Sequence, residues 1–219
     1  MMPMSLDLDK STFMTCCSKV ICKGCDHSIN LREAEESLRP SCPFCRTPIP
    51  SNDKADEMMM KRMEANDPVA IRHEGYFRYK RGDYRSAYRY LMKSAGLGEM
   101  DAHYRLSVLY HKGHGVEKDI GMEMYHLEEA AIGGHPAARY NLGCHEWKTN
   151  DNDERAVKHW IIAAKLGHDD SIKALLGAFR SGMIIKEILA AALRAHQAAV
   201  DATKSPQREE AEEVHQNLV

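Results

Sequence analysis

The sequence predicts a mostly α-helical protein, in which a small cysteine-rich module is followed by an α-solenoid of about four helix-turn-helix repeats. Three observations support this prediction. Six of the seven cysteines lie between Cys16 and Cys45. Glycine and small residues recur beyond residue 70 with a period near 36 residues, the spacing from Gly98 to Gly134. Aromatic residues make up only 7% of the chain, which disfavours a β-sandwich and suits helices packed through small side chains.

Composition narrows the functional classes. The chain of 219 residues carries 30 basic and 32 acidic side chains, and this balance excludes a globally polybasic or polyacidic binder. No apolar run approaches the roughly 18 residues of a membrane span. The first ten residues lack the basic flank and apolar core of a signal peptide. We therefore expect an intracellular protein, cytoplasmic or nuclear, with no membrane partner and with reduced thiols.

Two C-x-x-C pairs in the cysteine-rich segment have the spacing of metal knuckles. Cys22-Lys-Gly-Cys25 and Cys42-Pro-Phe-Cys45 are separated by 16 residues, within the roughly 15–20 that zinc sites use. A C-x-x-C turn presents two thiolates on one side of a tight bend, and two such bends complete a tetrahedron around Zn²⁺. We predict zinc as the cofactor, and the candidate ligands are Cys16, Cys17, Cys22, Cys25, Cys42 and Cys45.

The order of these cysteines, ending in Cys45-Arg46, resembles an all-cysteine RING domain. The resemblance implies that knuckles pair crosswise, which gives one complete site made of Cys16, Cys17, Cys42 and Cys45. The other site keeps only Cys22 and Cys25, since Met2-Pro3-Met4-Ser5 stands where the first knuckle is expected.

A rival arrangement joins Cys22, Cys25, Cys42 and Cys45 and leaves the vicinal cysteines outside the site. We favour the crosswise arrangement because the whole segment then follows one fold. On that basis we expect about one Zn²⁺ per chain and poor order over residues 1–15.

The remainder of the chain repeats. Gly98, Gly134 and Gly167 are each followed four residues later by a small side chain and eight residues later by leucine; these positions are Ala102, Ala138 and Ser171, then Leu106, Leu142 and Leu175. An earlier unit supplies Gly75 and Ala87. Each unit has the periodicity of two antiparallel helices, with breaks at Gly113 and Gly182 and a helix cap at Asp119. Such units bury their apolar faces only by stacking.

This pattern is similar to the Sel1-like repeat family, relatives of tetratricopeptide repeats. The residues that carry the resemblance are Leu106, Tyr110, Gly113-x-Gly115-Val116, Asp119, Ala130-Ala131 and Gly134. Glu123 departs from it, because Ala87 and Ala156 stand at this position in neighbouring units. The resemblance implies an α-solenoid whose concave surface binds a protein or peptide partner.

These features divide the chain into four predicted segments. Residues 1–50 form the RING-like module and residues 51–67 a helical linker, capped by Asn52 or Asp53 and closed by Pro68. Residues 68–203 form the repeats, and residues 204–219 a polar tail.

Two partner surfaces are candidates. Resemblance to active RING ligases implies that Pro43, Phe44 and Arg46 contact a ubiquitin-conjugating enzyme, whose ubiquitin thioester such ligases orient. In the first repeat, residues 71–93 hold seven basic against two acidic side chains, interleaved with tyrosine. Arg78, Arg81 and Arg85 in that segment suit single-stranded nucleic acid. A simpler interpretation, which we favour, is that the tyrosines pack between helices and the arginines cover their edges.

No catalytic motif accompanies these surfaces. The sequence has no H-E-x-x-H helix, no G-x-S-x-G elbow and no phosphate-binding glycine loop. We therefore predict a protein-interaction adaptor, with a RING-type ubiquitin ligase as the alternative and nucleic-acid binding as the third interpretation.

Overall fold

The computed structural model describes residues 11–149, 153–207 and 209–210. These described residues divide into two compact units, one made of those up to residue 71 together with those from residue 202 on, and the other of those between residues 72 and 201. Along the described part of the chain, we find no helix with the length and hydropathy that a bilayer crossing requires.

The described part of the first unit starts with a β-hairpin that the sequence patterns did not predict. Strands β1 (Ser11–Met14) and β2 (Lys19–Cys22) pair antiparallel, with Ser11 opposite Cys22 and Met14 opposite Lys19. The expectation of poor order over residues 1–15 is therefore wrong for residues 11–14, while residues 1–10 lie outside the described part.

Two helices follow in this unit, α1 (Lys23–Glu35) and α2 (Asn52–Glu64). Helix α2 is the predicted linker helix, but its N-cap is Ser51 rather than Asn52 or Asp53. It ends at Glu64, and Pro68 begins the next helix instead of closing this one.

The predicted α-solenoid of about four helical repeats is confirmed. Eight helices form four consecutive hairpins, with bounds α3 (Pro68–Lys80), α4 (Tyr84–Gly96), α5 (Met100–Lys112), α6 (Ile120–Ile132), α7 (Pro136–Lys148), α8 (Asp153–Lys165), α9 (Asp169–Arg180) and α10 (Lys186–Asp201). Helices α4 to α9 each pack against the next in the chain, and α10 packs against both α8 and α9.

The repeat glycines end the second helix of three hairpins in the same way. Gly98, Gly134 and Gly167 all have φ between 84° and 87°, a left-handed conformation that favours glycine. In each case the next residue donates its backbone N–H to a small buried residue five positions earlier, as His135 does to Ala130. This Schellman geometry satisfies the last carbonyls of the helix and turns the chain into the next repeat.

Small residues set the distance between the helices. Ala87, Ala102, Ala130, Ala138 and Ala156 are fully buried. Gly143 in α7 shows how close the contact is, because a Cβ added there would lie 2.6 Å from Trp160 Nε1 and 3.0 Å from the Ala156 carbonyl oxygen. Where Glu123 replaces the expected small residue, its carboxylate lies at the helix edge, 3.0 Å from His111 Nδ1.

The same contact position is occupied at each junction between repeats, but by different kinds of side chain. At the first junction Arg72 pairs with Glu99 at 3.0 Å. At the next two junctions the corresponding contacts are stacked rings, Tyr104 on His135 and Tyr140 on His168. These contacts place both histidines at the repeat ends, packed against a tyrosine of the preceding repeat.

A buried carboxylate joins three repeats at the first of these junctions. Asp101 is only 3% exposed. Its Oδ2 accepts hydrogen bonds from Arg72 Nη1 at 3.0 Å and Arg105 Nε at 2.8 Å, and its Oδ1 lies 3.4 Å from His135 Nε2. Burial by itself raises the pKa of Asp101, but His135, Arg105 and Arg72 more than offset it and hold the pKa well below its usual range. The carboxylate is therefore ionised and fully paired.

Two glycines inside helices provide a matched test of this packing. We expect Gly143→Ala to destabilise the repeats by about 1–3 kcal/mol, since the added methyl overlaps the buried Trp160 ring. Gly177→Ala in α9 meets no atom within 4 Å, so we expect it to stabilise the fold by about 0.4–1 kcal/mol through the unfolded chain. Urea unfolding followed by the fluorescence of Trp147 and Trp160 measures both changes. Equal effects of the two substitutions would contradict the close-packing account.

Candidate metal centre

A tight turn between the two strands presents the first pair of thiols. The backbone N–H groups of Cys17 and Ser18 both donate to the Met14 carbonyl oxygen, at 3.3 and 2.9 Å. Ser18 has a φ of 54°, in the left-handed region. Because this turn is short and closed by hydrogen bonds, the adjacent side chains of Cys16 and Cys17 are held at its tip.

The second pair lies on the Cys42-Pro-Phe-Cys45 turn. Cys42 N donates to the Thr47 carbonyl oxygen at 2.8 Å, and Arg46 N donates back to the Cys42 carbonyl oxygen at 2.9 Å. Arg46 itself adopts a φ of 62°. The two hydrogen bonds close the C-x-x-C bend, so that Cys42 and Cys45 are presented on one side of it.

The two turns bring four sulfur atoms together. The Sγ atoms of Cys16, Cys17, Cys42 and Cys45 all lie within 4.8 Å of one another, with 3.7 Å between Cys17 and Cys42 and 3.4 Å between Cys16 and Cys45. A tetrahedral ion with Zn–S bonds of about 2.3 Å holds its ligands about 3.8 Å apart. A disulfide would require about 2.05 Å. The spacing therefore fits a metal site and not a cystine.

The thiols differ in their electrostatic setting. Burial raises the pKa of Cys16 and of Cys17 above the ordinary value. Hydrogen bonding to the side chain and backbone of Thr47, whose Oγ1 lies 3.2 Å from Cys45 Sγ, lowers the pKa of Cys45 to about 6. Four thiolates in this space repel one another, and a divalent cation at their centre offsets that repulsion.

Two charged side chains outside the cluster hold the turns in place. Glu33 of α1 is buried, and its Oε1 accepts hydrogen bonds from Ser41 N at 3.1 Å and Ser41 Oγ at 3.4 Å, immediately before the second turn. Arg62 of α2 donates from Nη2 to the Cys16 carbonyl oxygen at 2.5 Å. Neither residue was predicted from the sequence, because the Arg62 contact spans 46 residues and the Glu33 contact follows no recognised spacing motif.

The apolar core around these turns is small. Met14, Ile21 and Cys42 are buried together, with Cys16, Cys17 and Ile29 against them. A core of this size is marginal for independent folding. The four-thiol cluster is thus placed where a bound ion would contribute most to stability.

The other C-x-x-C pair lies apart from this cluster. Cys22 is the N-cap of α1, and its Sγ accepts a hydrogen bond from Cys25 N at 3.4 Å. Among the described residues, the four-thiol cluster is the only group of three or more potential ligands. The grouping is the one implied by crosswise pairing, not by the rival that joins Cys22 and Cys25 to the second turn. Met2-Pro3-Met4-Ser5 lies outside the described residues.

The predicted partner residues have separate environments. On the second turn, Phe44 and Arg46 are exposed and Pro43 is half-buried. The three arginines of the first repeat have different surroundings. Arg78 pairs with Glu74, Arg81 lies over the Phe77 ring and Arg85 is exposed. Several tyrosines of this segment pack between helices, since Tyr84 stacks on His114 and Tyr88 meets Tyr110 edge-on. A role for these residues in partner binding stays a prediction.

Solved structures share the fold of the repeats. A Sel1 repeat protein from Oxalobacter formigenes is 27% identical, with a TM-score of 0.52 over 58% of this chain and 99% of that one. A protective antigen of uropathogenic Escherichia coli with an SLR fold is 20% identical over 77% of this chain, with a TM-score of 0.51. An immunity protein from Pseudomonas aeruginosa is 19% identical over 70%, with a TM-score of 0.51.

The chain spans 36% and 64% of the length of the last two proteins, and their likeness shows the fold alone. No protein-family model and no curated protein matches the sequence.

The cluster geometry makes a prediction about zinc retention. We expect Cys16→Ser/Cys17→Ser to lose the bound metal, because it removes two of four ligands. We expect Cys22→Ser/Cys25→Ser to keep about one Zn²⁺ per chain, and serine preserves the N-cap of α1. Elemental analysis after gel filtration with a mild chelator measures the zinc content of both variants. Two tightly held ions in the unsubstituted chain, or equal loss in the two variants, would contradict a single site at the four-thiol cluster.

Proposed function

We propose that this chain is a protein-interaction adaptor, in which the helical repeats bind a polypeptide partner and a zinc-stabilised, RING-like module presents a second surface. The observation that carries the proposal is the continuous stack of hairpins from α3 to α10. Such a stack buries its small residues and leaves long helix faces exposed to partners. The likeness to a Sel1 repeat protein supports this assignment of the repeats.

The proposed zinc has a structural role. Cys16, Cys17, Cys42 and Cys45 would supply all four ligands, and a site closed by four protein ligands leaves no position for water or substrate. An ion bound there would join the β-hairpin turn to the Cys42–Cys45 turn across the small core. Binding free energy at such a site, on the order of 10 kcal/mol, becomes folding free energy of the module.

The adaptor function is tested by separating repeat packing from zinc content. Partners are identified by photo-crosslinking and purified, and their binding to the full chain is measured by calorimetry. We expect Gly143→Val to weaken binding at least tenfold, because the larger side chain disrupts the α7–α8 contact, while zinc content stays at about one per chain.

Gly177→Ala is the matched control and leaves the dissociation constant unchanged. A partner that binds Gly143→Val as tightly as the unsubstituted chain would refute binding through the repeats.

A RING-type ubiquitin ligase is the second candidate. It is favoured by Phe44, a large apolar side chain that is 49% exposed on the second turn, next to the exposed Arg46. An exposed aromatic beside a cation suits a protein interface. In this function the module would hold no nucleophile and would act by docking a ubiquitin-conjugating enzyme.

Autoubiquitination with a panel of conjugating enzymes tests this second function. If the chain is a ligase, we expect Arg46→Ala to lower the rate at least tenfold, because the guanidinium would contact both ubiquitin and the conjugating enzyme. Arg39→Ala changes another exposed arginine of the same module and serves as the control. Absence of ubiquitin transfer by the zinc-loaded chain with every enzyme of the panel would eliminate the ligase and leave the adaptor in place.

A further inference from the structure

Helices α6, α7 and α8 enclose a pocket that packing of the repeats does not fill. Its volume is about 180 Å³. Each helix contributes residues spaced by one or two turns, so that they share a face: Glu128 and Ile132 from α6, Arg139 and Leu142 from α7, and His159 from α8. The pocket is smaller than the roughly 300–1,000 Å³ typical of small-molecule sites and suits one or two peptide side chains.

The apolar part of the pocket is incompletely covered. Leu142 forms the buried floor, whereas Ile132 at the edge is 76% exposed, more than any other large apolar side chain in the described residues. Exposing a branched apolar side chain beside a concave surface costs free energy that a partner recovers by covering it. An aliphatic side chain placed between Ile132 and Leu142 would do so.

The polar part contains a paired glutamate and an arginine that has no ion-pair partner among the described residues. Glu146 is held by Arg155 Nη2 at 2.8 Å. Arg139 is half-buried, and within the described part of the chain no carboxylate lies within ion-pair distance of its guanidinium. A partly desolvated guanidinium is best satisfied by a planar anion that accepts two parallel hydrogen bonds.

A second unsatisfied group lines the same pocket. The Nδ1 atom of His159 is buried and has no hydrogen-bond partner. Burial, assisted by the charge of Arg139, lowers the pKa of His159, so the ring is neutral near pH 7. A neutral imidazole can donate one hydrogen bond, and a carboxylate at Arg139 would be a suitable acceptor.

The surrounding charges select among anions. Glu128 lies exposed at the rim and Glu146 lies inside, so a ligand meets two negative charges near the two arginines. A dianionic phosphate or a nucleic-acid backbone would be repelled more strongly than a single carboxylate. This balance favours a monoanionic group next to an apolar one.

We propose that the α6–α8 pocket binds a carboxylate and the neighbouring aliphatic side chain of a polypeptide, with the carboxylate at Arg139 and the aliphatic group on Ile132 and Leu142. This inference rests on the adaptor function and names the chemistry of the segment bound. The carboxylate is either an acidic side chain or a chain terminus, and these two sources share the same recognition.

Four short peptides test the pocket on the full, zinc-loaded chain. Acetyl-Gly-Gly-Leu-Glu-Leu-Gly-Gly-amide carries an internal carboxylate, and its glutamine counterpart lacks it. Acetyl-Gly-Gly-Gly-Leu-Leu with a free terminus is compared with its amide. NMR titration follows the methyl groups of Ile132 and Leu142. We expect at least one charged peptide to shift both methyls at millimolar concentration, and its neutral counterpart to bind at least fivefold more weakly.

Which of the two charged peptides binds more tightly identifies the source of the carboxylate. Arg139→Gln is expected to weaken binding of that peptide at least fivefold, whereas the control Arg180→Gln, at an exposed arginine outside the pocket, leaves its binding unchanged. The proposal is overturned if no peptide shifts these methyls, if the neutral peptides bind equally, or if a phosphoserine peptide binds more tightly than its glutamate counterpart.

The purified partner separates this proposal from the adaptor function. Weaker partner binding by Arg139→Gln supports the pocket. If Arg139→Gln binds the partner unchanged while Gly143→Val loses binding, the proposal for the pocket is overturned and the adaptor function stands. Unchanged binding by both variants overturns both.

Discussion

The close approach of helices through small residues is the constraint on which the repeats depend. A single helical hairpin cannot bury its apolar face, so each repeat is stable only against its neighbours. Fully buried alanines occupy the contacts, and at Gly143 even a methyl group is excluded by Trp160 and the Ala156 carbonyl. Dispersion contacts fall steeply with distance, which makes this spacing an energetic requirement as well as a geometric one.

Close packing alone does not fix which repeat follows which. The junction contacts add that specificity, because the same position carries an Arg72–Glu99 ion pair at one junction and tyrosine–histidine stacks at the next two. Asp101 adds a buried carboxylate that is satisfied together by Arg72 of α3, Arg105 of its own helix and His135 at the N-cap of α7. Removing one partner would weaken the compensation of this buried charge, so a change in the register of the first repeats would cost free energy.

The parts of this fold that sequence predicts are those with a short-range or periodic cause. Gly98, Gly134 and Gly167 predict helix ends, because a left-handed backbone is costly for other residues. Asp119 caps α6, as its position predicts. The β-hairpin, Glu33 and Arg62 escaped prediction, because the two short strands and the Glu33 contact follow no repeated spacing and the Arg62 contact spans 46 residues. The Cys16, Cys17, Cys42 and Cys45 group came from resemblance to a known fold, while spacing by itself left two pairings open.

The two units place their unsatisfied groups in different ways, and this difference bears on function. In the first unit four thiols lie within 4.8 Å of one another, and the zinc that we propose would satisfy them from inside the module. In the second unit Asp101 is paired in the interior, whereas Arg139 and His159, whose Nδ1 atom has no hydrogen-bond partner, line a pocket beside the exposed Ile132. Buried groups that are already paired gain no free energy from a ligand. A half-buried guanidinium and an uncovered apolar side chain gain free energy when a ligand pairs or covers them. This arrangement supports the proposal that the repeats recognise another polypeptide.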